Sequence, residues 1–137
     1  RAYETGFAHH MIAAMEVRPE DTGAYGIFDA DPPAPGGEVT VRGLVEKPKP
    51  QEAPSTLAAV GRYILAPGIF DTLMTTGRGR GGEIQLTDAI ARDLQRKTVT
   101  AFRFEGVRYD CGRPDGLLEA ANAIRDAREM LVAGTVA

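Results

Sequence analysis

Two long apolar runs constrain this chain more than any other feature: residues 9–17 (His-His-Met-Ile-Ala-Ala-Met-Glu-Val) and residues 57–65 (Leu-Ala-Ala-Val-Gly-Arg-Tyr-Ile-Leu). Each has the length of a strand, and neither alternates cleanly between polar and apolar. Such runs suit strands buried on both faces of a sheet covered by helices. Helical spacing elsewhere supplies the covering. Pro67 starts a helix through Met74 with Ile69, Phe70, Leu73 and Met74 expected on one face. Thr87 is expected to cap a helix through Lys97 in which Leu86, Ile90 and Leu94 recur every fourth residue. Pro114 opens a closing helix with Leu117, Ala121, Ile124 and Leu131 as its apolar face. Further strands are read at 25–29, at the alternating segment 38–45, and at 98–105, with Phe102 and Phe104 inward. The turn-rich Asp31-Pro32-Pro33-Ala34-Pro35-Gly36-Gly37 makes a hairpin tip, so a hairpin over roughly residues 25–47 is expected to protrude. The expected fold is α/β: three layers, with a mixed sheet between helices.

Composition narrows the partners. A chain of 137 residues, 43% hydrophobic and 26% charged, is one globular domain or part of one. A net charge of −3 argues against a nucleic-acid surface, which wants a basic stripe. No apolar run approaches the roughly 20 residues of a membrane helix, and no secretory signal is visible, so no membrane partner is expected. The single Cys111 fits a reducing cytoplasm. Arg1 to Gly6 reads as the last turn of a helix closed by glycine, so the chain begins as if cut from the interior of a longer one.

The chemistry concentrates in Gly43-Leu44-Val45-Glu46-Lys47-Pro48-Lys49-Pro50. Pro48 has no amide hydrogen, so the ladder ends there, and it is expected to force Lys47 into extended geometry. Glu46 and Lys47 then stand at a fixed strand exit. A carboxylate accepts from sugar hydroxyls and an ammonium suits phosphate, although a solvated surface pair is the alternative. Adjacent strand residues face opposite sides, so both reach one ligand only if the strand twists or ends there. Gly26 within a strand marks a bulge or a close backbone approach by a ligand. Asp110 stands at a strand-to-helix junction, where open α/β sheets place ligand groups and where turn aspartates also occur. Gly77-Arg78-Gly79-Arg80-Gly81-Gly82 has the glycine content of a phosphate cradle without the Gly-Lys-Ser/Thr of a P-loop, and a surface loop is the other reading. His9 and His10 as zinc ligands and Cys111 as a nucleophile both lack sequence-local partners. Glu83 and Gln85 acquire no chemistry from their spacing.

Several segments in this order, Tyr25-Gly26-Ile27, Val-Glu-Lys-Pro-Lys at 45–49, Val60-Gly61-Arg62-Tyr63, Glu-Ile-Gln-Leu-Thr-Asp-Ala-Ile at 83–90, and Asp110-Cys111-Gly112, carry a resemblance. From about Tyr3 to Arg128 the chain resembles the second half of the bacterial UTP–glucose-1-phosphate uridylyltransferases (UDP-glucose pyrophosphorylases). The resemblance implies a Rossmann-like nucleotidyltransferase fold, of which residues 1–137 would form the C-terminal, sugar-phosphate-binding half. It implies glucose 1-phosphate and UTP as substrates, UDP-glucose as product and Mg2+ as cofactor. Without the first half, apolar strands would be left exposed on one side of the sheet, so the chain is expected to self-associate as a homo-oligomer or swap elements. Glu46 would bind glucose hydroxyls, Lys47 the sugar phosphate as the catalytic lysine, the Gly26 backbone the sugar, and the Ala59 backbone the substrate. Asp110 would be one of two aspartates holding Mg2+. The family's nucleotide loop and partner aspartate have no counterpart here, and Tyr109 replaces an expected histidine, so the isolated chain is expected to be inactive. A sugar-1-phosphate thymidylyltransferase and a non-catalytic binding or assembly module are the alternatives.

Overall fold

The computed structural model describes residues 9–134, apart from the side chains of residue 80 and residues 131–134. The helical turn expected to end at Gly6 lies outside them. The chain divides into two compact units, Arg1–Glu105 and Gly106–Ala137.

In the first unit the described residues form a mixed sheet of six strands. These are β1 (His10–Glu16), β2 (Gly26–Asp29), β3 (Glu38–Thr40), β4 (Gly43–Glu46), β5 (Leu57–Ile64) and β6 (Val99–Arg103), in the spatial order β3-β6-β1-β5-β2-β4. The two long apolar runs are β1 and β5, paired antiparallel at the centre, with β6 parallel on the far side of β1. Helices α1 (Ile69–Thr75) and α2 (Leu86–Asp93) cover one face. There Ile12, Ala14, Phe28, Leu44, Leu57, Ala59, Val99 and Ala101 from the strands meet Ile69, Ala89 and Ile90 from the helices. Burial of this apolar area is the main force holding the layers together.

The helical spacing of Leu86, Ile90 and Leu94 works as expected, all three packing toward the core. On α1 the stripe splits. Ile69 and Leu73 face the sheet, while Phe70 and Met74 are 70% and 79% exposed. In β6 the core positions are Val99 and Ala101, and Phe102 is only half-buried on the other face, the reverse of the expected register.

The segment 38–45 is not one strand. Its first part, β3, pairs with β6, and its second, β4, pairs with β2. Between them the Val41 amide donates to the Val99 carbonyl of β6, and the next amide, Arg42, donates to the Asp29 carbonyl of β2. Successive residues therefore reach strands on opposite sides of the β1–β5 pair, which requires a strongly curled sheet. The expected hairpin is present as β2 against β4, but its outer part is tied down instead of protruding. Gly36 donates to the Arg103 carbonyl, Arg103 donates back to Gly37, and the Arg103 guanidinium donates to the Pro33 carbonyl at 2.8 Å. Proline has no amide to offer, so this arm is held largely through its carbonyls and glycine amides.

Gly61 has φ +74° and no neighbour where a Cβ would stand, so its role is conformational. It lies where Ile12 pairs Tyr63 but Ala14 pairs Ala59, an irregularity that puts extra residues into β5. The second unit contains α3 (Pro114–Gly134). Leu117, Leu118, Ile124 and Met130 are exposed on it, so the expected apolar face is not a buried one. Among the described residues no helix is long and apolar enough to cross a membrane.

Candidate functional site

The register of β4 sets the site. Leu44 points into the core, so Glu46, two residues on, faces the same helix-covered side and is 12% exposed. Plain strand geometry would then send Lys47 to the opposite face. Lys47 instead has φ +45°, the only described non-glycine residue in the left-handed region. The expectation of extended geometry at Lys47 is therefore corrected. Its amide still continues the ladder, donating to the Tyr25 carbonyl at 2.9 Å. The chain then turns, and Lys47 Nζ comes within 3.7 Å of Glu46 Oε1. The left-handed residue is what puts ammonium and carboxylate on one side of the sheet. The clash with Pro48 disfavours the right-handed helical region but does not by itself select extended backbone.

Glu46 has a second partner that spacing did not reveal. Thr87, on the first turn of α2, donates its hydroxyl to Glu46 Oε2 at 2.8 Å. It does not cap the helix, whose N-cap is Gln85, and α2 ends at Asp93 instead of reaching Lys97. Gly26 pairs directly with Glu46 in a regular ladder, so no bulge is present. A Cβ there would lie 3.0 Å from Thr87 Cγ2 and 3.3 Å from Glu46 Oε2. The missing side chain makes room for this pair of residues. Burial pushes the Tyr63 phenol pKa up, and the Glu46 charge adds to the shift. Tyr63 thus stays a neutral hydroxyl within the field of the carboxylate.

Ala59 contributes its side chain to the core, opposite Ala14. Asp110 belongs to the second unit, where its Oδ1 accepts from the Gly112 amide at 3.2 Å and its carbonyl accepts from Arg113. That is the geometry of a turn aspartate leading into α3. Its carboxylate is a hard oxygen donor of the kind Mg2+ takes, yet the described residues bring together no group of three or more His, Cys, Asp or Glu that could hold a metal ion. Cys111 is exposed.

The 77–82 loop is closed on itself. Arg78 donates to the Gly82 carbonyl at 2.7 Å, Gly79 to Glu83 and Gly82 to Gly79. A Cβ at Gly79 would collide with the Asp88 carboxylate, an acidic neighbour unsuited to a phosphate.

A separate polar cluster ties β1 to α1 and α2. His10 is fully buried, and its Nδ1 accepts from the Ala66 amide at 3.1 Å, so the ring proton sits on Nε2 and is given to Asp93 Oδ2 at 2.9 Å. Thr72 and Lys97 also donate to Asp93, at 2.5 and 2.9 Å. Burial alone would raise the Asp93 pKa, but the bonds from Thr72, Lys97 and His10 outweigh it and hold it at about 2 against an ordinary 3.8. Both nitrogens of His10 are thereby spent inside the core.

A curled mixed sheet thus carries a Glu-Lys pair at a strand exit, with a helix start against the carboxylate, in an α/β domain. The chain belongs to the nucleotidyl transferase family, whose pattern it matches over residues 1–127. Among curated relatives it is 46% identical over 112 residues to a UTP–glucose-1-phosphate uridylyltransferase of Pseudomonas aeruginosa, covering 82% of this chain and 40% of that protein. It is 48% identical over 116 residues to the enzyme of that name from Staphylococcus epidermidis, covering 85% and 39%. The fold superposes with TM-score 0.82 on a UDP-glucose pyrophosphorylase solved in complex with UDP-glucose, at 38% identity, over 92% of this chain and 47% of that one. The chain thus spans about two fifths of the length of the curated relatives it matches.

Proposed function

We propose that this chain supplies the sugar-phosphate side of a uridylyltransferase site, in which glucose 1-phosphate and UTP give UDP-glucose and pyrophosphate. A phosphate oxygen of the sugar attacks the α-phosphorus of UTP, the bond to the β-phosphate breaks, and pyrophosphate leaves. Such a transfer needs mainly positioning and charge neutralisation. The observation that carries the reading is the Glu46–Lys47 pair, two unlike groups turned to one side of a strand exit. The partly exposed Lys47 ammonium meets the sugar phosphate, and the more buried carboxylate of Glu46 accepts from glucose hydroxyls. The Gly26 backbone lies against the sugar, with the Ala59 backbone as a further substrate contact. Asp110 provides one carboxylate toward Mg2+, which when bound neutralises charge on the phosphates. Its other ligands would have to come from outside the described residues. The exposed apolar side chains support assembly into a homo-oligomer, and the lone cysteine suits a reducing cytoplasm.

UDP-glucose formation and substrate binding, measured in the protein as its gene encodes it, test this. Lys47→Ala should lose affinity for glucose 1-phosphate more than for glucose, and Glu46→Gln should weaken sugar selection. Each effect should exceed about tenfold, as expected when a charged hydrogen bond is lost. Asp110→Asn should lower turnover by orders of magnitude with little change in folding stability. The 137-residue chain alone should form no UDP-glucose. Equal weakening of glucose and glucose 1-phosphate by Lys47→Ala would remove the phosphate role, and near-normal turnover in Asp110→Asn the metal role.

A further inference from the structure

Glu46 can select a sugar only if its carboxylate is aimed before the ligand arrives. A glutamate has three side-chain torsions, and fixing them on binding costs affinity. Its immediate neighbour Lys47 would draw the carboxylate outward, toward the half-exposed ammonium. Against that pull stands one residue from another element. Thr87 is 6% exposed and donates to Glu46 Oε2 at 2.8 Å, while Lys47 faces the other oxygen, Oε1, at 3.7 Å. The two oxygens are thus divided between two partners. Thr87 is itself held: its methyl group fills the space over Gly26, 3.0 Å from where a Cβ would be. A β-branched side chain on a helix has few χ1 choices, so a seated methyl fixes the direction of the hydroxyl.

We infer that Thr87 is a positioning residue for sugar recognition, holding the Glu46 carboxylate in its ligand-accepting orientation through the Oε2 hydrogen bond. The inference rests on the sugar-binding reading of Glu46 and adds to it the residue that preorganises the carboxylate. Gly26 has a part as well, since a Cβ there would crowd both the Thr87 methyl at 3.0 Å and the Glu46 carboxylate at 3.3 Å.

The test is the affinity for glucose 1-phosphate by titration calorimetry, with thermal unfolding alongside, in the protein as its gene encodes it. Thr87→Val keeps the methyl seat and removes the donor; Thr87→Ser keeps the donor. Thr87→Val should weaken binding on the order of tenfold, Thr87→Ser should stay within about threefold of the parent, and both should unfold near the parent temperature. In a Glu46→Ala background the same Thr87→Val change should cost less than about twofold, because the group it orients is gone. Parent-like binding by Thr87→Val beside weak binding by Glu46→Ala overturns the positioning role and leaves Glu46 standing. An equal loss in both backgrounds, or a Thr87→Val chain that does not fold, makes the role structural and also overturns it. Parent-like binding by Glu46→Ala, or no binding by the parent, overturns the reading of Glu46 itself and the inference with it.

Discussion

Lys47 accepts a left-handed backbone that costs a non-glycine residue on the order of 1 kcal/mol, and the return is a cation beside Glu46. The Glu-Lys-Pro order announced the pair and the strand end, but not the torsion that brings them together. Neither the bond from Thr87 to Glu46 nor the nearness of Tyr63 carried a signal, because each partner comes from another element well along the sequence. Asp93 was similarly silent, and it gives a pH prediction. Its folded pKa of about 2 lies below the ordinary 3.8, so the folded state prefers the charged form. The stabilisation is complete above the unfolded value and disappears as pH falls through the folded one, between roughly 4 and 2. The depression corresponds to about 2 kcal/mol. Chemical denaturation across this range should show an acid limb of that size in the parent and a flatter one in Asp93→Asn, which should also be less stable at pH 7. An unchanged acid limb in Asp93→Asn would move the effect to another group.

At the scale of elements, β5 shows how one residue reshapes a strand. Residues 57–60 are buried, and beyond the Gly61 irregularity the strand emerges toward solvent. Gly61→Ala meets no steric obstacle, so any loss must come from the backbone at φ +74°. The expected cost is on the order of 1–2 kcal/mol in urea unfolding, the usual penalty for a left-handed alanine. A neutral substitution would mean that β5 can pair regularly with β1. The split of residues 38–46 into β3 and β4 has a related cause. Alternation of apolar residues specifies a strand without specifying its partner, and two partners on different parts of a curled sheet satisfy the backbone equally well. The α1 stripe failed for a geometric reason: a helix of two turns lying on a sheet buries a narrow face, so Ile69 and Leu73 go in while Phe70 and Met74 stay out.

At the scale of the whole molecule, exposed apolar side chains occur on both units: Phe70, Met74 and Ile84 in the first, and Leu117, Leu118, Ile124 and Met130 in the second. Apolar surface of this kind favours association. Light scattering at micromolar concentration should give a mass above the 14.7 kDa of one chain. A monodisperse monomer would show that these groups are tolerated in solvent.

The sequence by itself determined the α/β class, the central strands, α2 and the adjacency of Glu46 and Lys47. Each depends on local information: strand-length apolar runs, helical spacing, or neighbouring residues. Only the tertiary structure decided that Lys47 turns left-handed, that Thr87 meets Glu46 over Gly26, and that His10 closes a buried network with Asp93. These depend on which strand lies beside which and on where a helix begins over a sheet. Those choices follow from long-range packing, which burial and backbone hydrogen bonding settle jointly and no short segment records.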